Sequence, residues 1–234
     1  MSERIEALAR KIDARLAGHL QRAPSLDGEL AYDVEAPALL DVARDLRDSP
    51  ELHFDMLIDV AGVDYLLYGQ SEWQGYPATA TGFGRGVMRD DAPATGESGR
   101  RFGVTYHLLS ITHNERLRLR TRCASSEEPM VDSVVSVWPA ADWFEREAFD
   151  LFGIMFQGHP DLRRILTDYG FIGHPFRKDF PLIGNVEVRY DAEKRRVVYE
   201  PVSIVPRVQV PRIIREDNRS DPELARRRPG EMSR

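Results

Sequence analysis

An alternation of apolar residues on both sides of a short turn constrains the fold of this chain most strongly. Before the turn Thr112-His113-Asn114-Glu115, the apolar positions are Phe102, Val104, Tyr106 and Leu108. After it, Leu117 and Leu119 alternate with Arg116, Arg118, Arg120 and Arg122. This pattern predicts a β-hairpin. Its sheet has one apolar face, which other elements must cover.

Three amphipathic helices and two further strands are predicted around this hairpin. The first helix has apolar residues spaced by three and four, at Ile5, Leu8, Ile12, Leu16 and Leu20. The second follows Pro37 and ends at Asp48-Ser49-Pro50, because the residue before proline disfavours helix. The third runs from Pro139 to about Phe152, and strands are predicted at Leu30–Val34 and His53–Val63. Because no regular βαβ rhythm is present, the sequence predicts an α+β fold with a mostly antiparallel sheet and packed helices.

The chain divides into three predicted regions. Residues 1–156 form the α+β domain, with a surface insertion at about 69–101 that is rich in glycine. Residues 157–214 form a turn-rich segment that docks on a partner, then a hairpin around 191–196, then an extended arm. In the arm Pro201, Pro206 and Pro211 exclude helix, and its apolar side chains need another surface. Residues 215–234 form a charged tail, which we expect to be disordered.

Composition excludes several classes of protein. The chain has 234 residues, a net charge of -6 and a single cysteine, Cys123. One cysteine cannot form an intramolecular disulfide, an all-cysteine zinc site or an iron-sulfur cluster. No uncharged stretch approaches the length of a membrane span, and the amino terminus lacks an apolar signal core. The sequence therefore predicts a cytoplasmic location.

Common catalytic and phosphate-binding motifs are absent from the sequence, but the arginines of the second hairpin strand are open to more than one interpretation. The sequence contains no GxSxG, GxxxxGK[ST] or HExxH motif. The arginines of 116–122 could bind phosphate or nucleic acid, or a carboxylate-rich partner. The preferred interpretation is a sheet face that is solvated or covered by acidic helices, since arginine side chains are mostly exposed unless they are paired. We therefore predict that the chain binds no nucleic acid.

The segment 143–181 has the highest density of chemically capable side chains, and two interpretations of it are open. On the third helix, Glu147 and Asp150 fall on one face. With His159 they could bind a divalent metal in a free-standing hydrolase, and Asp161, Asp168 and His174 could add ligands. Alternatively, Glu145, Glu147 and Asp150 pair with cations across turns or across a subunit boundary. The candidate cations are Arg146, Arg163, Arg164, Arg177 and Lys178.

Four runs of this segment stand out: Glu145-Arg146-Glu147, Asp150–Ile154, Gly158–Leu166 and Gly173–Pro181. Together they closely resemble the signature of the 30 kDa subunit of respiratory complex I. The resemblance implies a non-catalytic subunit of the peripheral arm of the proton-translocating NADH:quinone oxidoreductase. It implies no cofactor in this chain, since FMN and the iron-sulfur clusters belong to partner subunits. A similar subunit of a membrane-bound hydrogenase is the related alternative.

The resemblance also implies where the chain lies and which residues meet its partners. It would dock on the quinone-site subunit, called the 49 kDa or D subunit, at the cytoplasmic side of the bacterial inner membrane. Membrane association would come only through partners. The residues to which the resemblance assigns an interface role are Glu145, Glu147, Asp150, His159, Arg163, Arg164, His174, Arg177 and Lys178.

Overall fold

The computed structural model describes residues 3–25, 28–66, 68, 74–75, 87–88 and 100–204. Its helices are α1 (Glu3–Arg15), α2 (Leu39–Asp48) and α3 (Ala141–Phe152), with a 3₁₀ turn at Ala36–Ala38. The strands are β1 (Leu20–Arg22), β2 (Ala31–Glu35), β3 (Met56–Asp64), β4 (Gln74–Gly75), β5 (Val87–Met88), β6 (Phe102–Ser110), β7 (Glu115–Arg122), β8 (Met130–Asp132), β9 (Met155–Gln157), β10 (Val186–Asp191) and β11 (Arg196–Pro201).

A five-stranded sheet forms the centre of the fold, in the order β1-β2-β7-β6-β3. Its strand pairs are antiparallel except β2 and β7, which are parallel. In the predicted hairpin, Tyr106 lies opposite Leu119 and Leu108 opposite Leu117. Their alternation therefore places these apolar side chains on one face. The α+β fold and its mostly antiparallel sheet are confirmed.

The core lies between that face of the sheet and the helices. The fully buried side chains include Ile12 of α1, Leu39 and Leu46 of α2, and Phe102 and Tyr106 of β6. Outside the regular elements, the Trp138 indole Nε1 donates a hydrogen bond to the Phe54 carbonyl oxygen at 2.9 Å. This bond satisfies the one polar group of a buried tryptophan, so the ring contributes its area to the core without a desolvation cost.

Three predicted boundaries differ from the structure. The first helix ends at Arg15, and Leu20 begins β1 instead of continuing the helical stripe, because Gly18 adopts φ 93° between them. The strand predicted from His53 begins at Met56, since His53 still donates its backbone N–H to Ser49 at the end of α2. The third helix begins at Ala141, two residues after Pro139.

The chain separates into two compact units: Met1–Gly69 with Pro93–Val202, and Gln70–Ala92 with Ser203–Arg234. The first unit contains all of the elements above except β4 and β5. Most of the predicted insertion, the arm beyond residue 204 and the charged tail lie outside the described residues. The predicted hairpin around 191–196 is confirmed by β10 and β11, which pair antiparallel.

Candidate functional site

Helix α3 sorts its charged residues between the core and the solvent. It buries Glu145, Arg146 and Asp150 and leaves Glu147 exposed. The predicted grouping of Glu147 with Asp150 is therefore wrong. The turns that follow α3 cover Asp150 and leave Glu147 in solvent. Gly153 ends the helix in the left-handed conformation, with φ 74°. That conformation turns the chain back toward the helix it has just left.

The Asp150 carboxylate organises the turn at residues 164–167. It accepts hydrogen bonds from the backbone N–H groups of Ile165, Leu166 and Thr167 at 3.0, 2.7 and 2.9 Å, and from the Thr167 hydroxyl. Arg164 adds an ion pair at 3.0 Å. Burial by itself would raise the pKa of Asp150, but the bonds from Thr167, Leu166 and Ile165 outweigh it and lower the pKa to about 2. The predicted pairing of Asp150 with an arginine is present.

A second turn, at residues 173–177, attaches to the same end of α3. The Arg164 Nη2 donates to the Gly173 carbonyl at 2.9 Å, and the His174 Nδ1 lies 2.9 Å from the Asp150 carbonyl. A carbonyl only accepts, so this His174 nitrogen carries the proton. Burial, with the charges of Arg177 and Arg164, lowers the pKa of His174. The His174 ring is therefore uncharged near pH 7, and its role here is structural.

An ion-pair cluster that sequence reasoning missed ties this segment to the central sheet. Arg101 contacts Asp64 Oδ2 at 2.7 Å and Asp179 Oδ1 at 2.8 Å. Asp64 is buried and also accepts from the Lys178 backbone N–H at 2.8 Å. Burial opposes ionisation of Asp64, but the bonds from Arg101, Lys178 and Leu66 lower its pKa. The one available signal was a carboxylate placed directly after the predicted strand that ends at Val63.

His159 belongs to a separate cluster near the start of α3. Its Nε2 lies 3.1 Å from the Asp142 carbonyl, and its Nδ1 accepts from the Asp161 backbone N–H at 3.1 Å. Arg146 pairs with Asp142 at 2.9 Å and with Asp161 at 3.4 Å. Arg163 is exposed and pairs with Asp161 at 3.0 Å. These contacts hold the turn after Gly158 against α3.

The metal-dependent hydrolase required Glu147, Asp150 and His159 to converge, and the structure separates them. Glu147 is exposed, Asp150 is saturated by donors, and His159 contacts Asp142 and Asp161. Within the described ranges, no group of three or more His, Cys, Asp or Glu residues is arranged to hold a metal ion. Ion pairing is therefore the interpretation that the geometry supports.

The arginine face of β7 has acidic partners within the chain. Arg118 pairs with Glu29 at 2.7 Å, and Arg120 pairs with Asp33 at 2.8 Å. Arg122 stacks over the Tyr65 ring at 3.2 Å. The acids come from β2 and the residues before it, whereas helices were the expected source. Because Arg118 and Arg120 already have carboxylate partners, these two arginines are less available to a phosphate.

Glu145 departs from its predicted role as an ion-pair partner. Its carboxyl group is fully buried and contacts the Ser133 Oγ at 2.6 Å and the Val134 backbone N–H at 2.8 Å. Burial raises the pKa of Glu145 to about 7, because two neutral donors do not replace bulk water around a carboxylate. Arg146 follows Glu145 in sequence but points toward Asp142 and Asp161.

This pKa makes folding stability depend on pH. Because the folded pKa of about 7 exceeds the ordinary 4.5, the contribution of Glu145 is fully present below pH 4.5 and is lost as pH rises through 7. We expect a loss of roughly 3 kcal/mol across that window. Urea unfolding of the full chain at several pH values measures it. Glu145→Gln should flatten the profile between pH 4.5 and 8, whereas exposed Glu147→Gln should leave it unchanged; identical profiles for the two variants would refute the assignment.

Together the geometry defines an α+β protein in which residues 158–185 form turns fixed by buried ion pairs and carboxylate-backbone contacts. Residues 32–186 match the family described as respiratory-chain NADH dehydrogenase, 30 Kd subunit. The chain belongs to this family, and so to the subunits of complex I. A relative from Halorhodospira halophila (strain DSM 244 / SL1), the C subunit of an NADH-quinone oxidoreductase, is 54% identical over 226 residues and covers 92% of each chain.

Two solved structures match parts of this chain to different degrees. A trypsin-resistant fragment (1-134) of Nqo5 is 25% identical, with a TM-score of 0.47, over 68% of this chain and 99% of the fragment. A chain of the membrane-bound sulfane sulfur reductase, an archaeal respiratory membrane complex, is 20% identical with a TM-score of 0.54. That match covers 77% of this chain and 88% of the other. In the described part of this chain, no helix combines the length and apolar character needed to span a bilayer.

Proposed function

We propose that the chain is a non-catalytic docking subunit in the peripheral arm of the proton-translocating NADH:quinone oxidoreductase. It docks on the quinone-site subunit, the 49 kDa or D subunit, and so supports electron transfer from NADH to quinone. FMN and the iron-sulfur clusters reside in its partners, and this chain carries none. It lies at the cytoplasmic side of the bacterial inner membrane and associates with that membrane through its partners.

An uncovered apolar face on the β10–β11 hairpin carries this proposal. The register places Val188 opposite Tyr199 and Tyr190 opposite Val197, with Val186 on the same face. These side chains are between 51% and 62% exposed. The opposite face has the ion pair between Arg189 and Glu200, at 2.7 Å. The hairpin therefore has one polar face and one apolar face, and exposure of the apolar face to water is unfavourable.

A hairpin of this kind gains little stability by itself. Isolated two-stranded hairpins are marginal in water and need a further layer against their apolar face. The turns before the hairpin also expose large apolar side chains, at Leu166, Tyr169, Ile172, Phe176 and Leu182. Apolar exposure on this scale is typical of a surface that a protein partner covers.

A double substitution on the hairpin tests the docking role. Val188→Lys with Tyr199→Glu places opposite charges across the ladder on side chains that already face solvent, so the thermal stability of the full chain should change little. Binding to the quinone-site subunit should weaken at least about tenfold, since a desolvated apolar contact becomes a buried charge. Arg196→Asp, on the polar face, is the matched control. Unchanged binding by the double variant would contradict docking through this face.

A further inference from the structure

Arg177 is a half-buried cation without an acidic partner in the described part of the chain. Its Nε donates to the Phe152 carbonyl oxygen at 2.6 Å, and its guanidinium lies 4.8 Å from the centre of the Phe102 ring. The nearby carboxylates of Asp64 and Asp179 both pair with Arg101. The other guanidinium nitrogens of Arg177 have no carboxylate within 4.0 Å among the described residues.

This arrangement carries an electrostatic cost. Arg101 also stacks on Phe102, at 4.6 Å, so two guanidinium groups share one ring. Burial and the charge of Arg101 lower the pKa of Arg177, and the charges of Asp179 and Asp64 oppose this only in part. A cation withdrawn from water without a counter-ion is unfavourable, and an approaching anion would relieve that cost.

Arg177 and Lys178 line an open groove whose other walls are apolar. The groove is bounded by Pro175, Phe176, Phe180 and Leu182. Phe176 is 57% exposed and Leu182 is fully exposed. Lys178 is held through its backbone N–H by Asp64, while its side chain is exposed. The groove therefore combines two adjacent cations with uncovered aromatic and aliphatic surface.

We infer that this groove binds an apolar segment of a neighbouring subunit that carries an Asp or Glu carboxylate. The carboxylate supplies a counter-ion that the described residues of this chain do not give to Arg177 and Lys178, and the flanking apolar residues cover Phe176 and Leu182. A free inorganic anion would satisfy the charges but leave the apolar walls in water, so charge and hydropathy together indicate a peptide. The inference rests on the proposed docking function and adds to it the chemistry of the partner segment.

Carbodiimide coupling in the intact complex tests this inference. The reagent joins a lysine amine to a carboxylate in contact with it, with loss of water, and mass spectrometry identifies both residues. We expect an amide between Lys178 and an Asp or Glu of another subunit. Acetylation of Lys178 should also fall at least about tenfold between the isolated full chain and the complex, as for a group sequestered in an ion pair. Lys11, exposed on α1, reports general shielding.

Two variants separate the possible failures. Lys178→Gln, a change at an exposed side chain, should abolish the crosslink without affecting folding. A Lys178 that remains as reactive in the complex as in the free chain, or that couples only to residues 205–234 of its own chain, would overturn the inference. If the Val188→Lys, Tyr199→Glu variant loses the complex while Lys178 stays reactive in wild type, the groove assignment fails and the docking proposal stands.

Discussion

Asp150→Asn should destabilise the chain by about 3–5 kcal/mol, a cost typical of breaking a buried charge pair. The carboxylate accepts three backbone N–H groups and the Thr167 hydroxyl, and it pairs with Arg164. An amide presents one oxygen and a donor group in their place. All three backbone N–H groups bond to Oδ2 and Arg164 bonds to Oδ1, so the amide either sets its NH2 group against the Arg164 guanidinium or removes the acceptor from the three backbone donors. The two turns that meet at the end of α3 should loosen together.

Urea unfolding of the full chain measures this loss, with Glu147→Gln as the control on the same helix. The exposed Glu147 should tolerate its amide to within about 0.5 kcal/mol. Because the folded pKa of Asp150, about 2, is below the ordinary 3.8, its stabilising contribution is present above pH 3.8 and disappears as pH falls through 2. Equal stability of Asp150→Asn and Glu147→Gln would contradict an organising role for Asp150.

Gly153→Ala should cost roughly 4 kcal/mol, the second largest effect that we expect. Its φ of 74° disfavours any residue with a Cβ, by about 1–2 kcal/mol. An added Cβ would also lie 2.5 Å from the Arg177 Nη2 and 2.6 Å from the His174 Nε2. Displacing two side chains that are held by hydrogen bonds adds about 1–3 kcal/mol. The substitution therefore strains the backbone and crowds the turn at 173–177.

Gly158→Ala is a matched control, because it isolates the backbone part of this cost. Gly158 has a similar φ of 84°, but nothing lies within 4 Å of its added Cβ. The difference between the two variants in unfolding free energy therefore measures the packing of His174 and Arg177 against Gly153. A Gly153→Ala variant that loses no more stability than Gly158→Ala would show that this packing contributes nothing.

Periodicity predicted the regular elements because it reports a local property. The alternation at 102–122 and around 191–196 predicted both hairpins, since a one-residue slip would move every apolar side chain to the wrong face. Element ends were less predictable. Leu20 continues the helical spacing of α1 in sequence, but α1 ends at Arg15 and the positive φ of Gly18 turns the chain, so Leu20 lies outside the helix.

The sequence identified the charged residues of the site, but it predicted only some of their ion-pair partners. Asp150 was expected to meet an arginine, and it pairs with Arg164, which lies 14 residues further along. Glu145 was expected to do the same, but its hydrogen-bond donors in the described part of the chain are the neutral groups of Ser133 and Val134. Helical spacing places residues on faces without identifying what covers them, so it could not separate these two acids.

The cluster of Arg101, Asp64 and Asp179 illustrates the same limit over longer separations. Arg101 lies 37 residues from Asp64 and 78 residues from Asp179. Only the return of the chain to the end of β3 brings the three together. No local spacing encodes such a contact, and tertiary structure is needed to detect it.

The central claim is that this chain contributes surface to the oxidoreductase and the electron carriers belong to its partners. The most direct measurement is the FMN and iron content of the full chain after it is dissociated from the purified complex. The account predicts that both remain with the other subunits and that the separated chain oxidises no NADH. Stoichiometric flavin or iron on the separated chain, or turnover of NADH by it, would contradict the account.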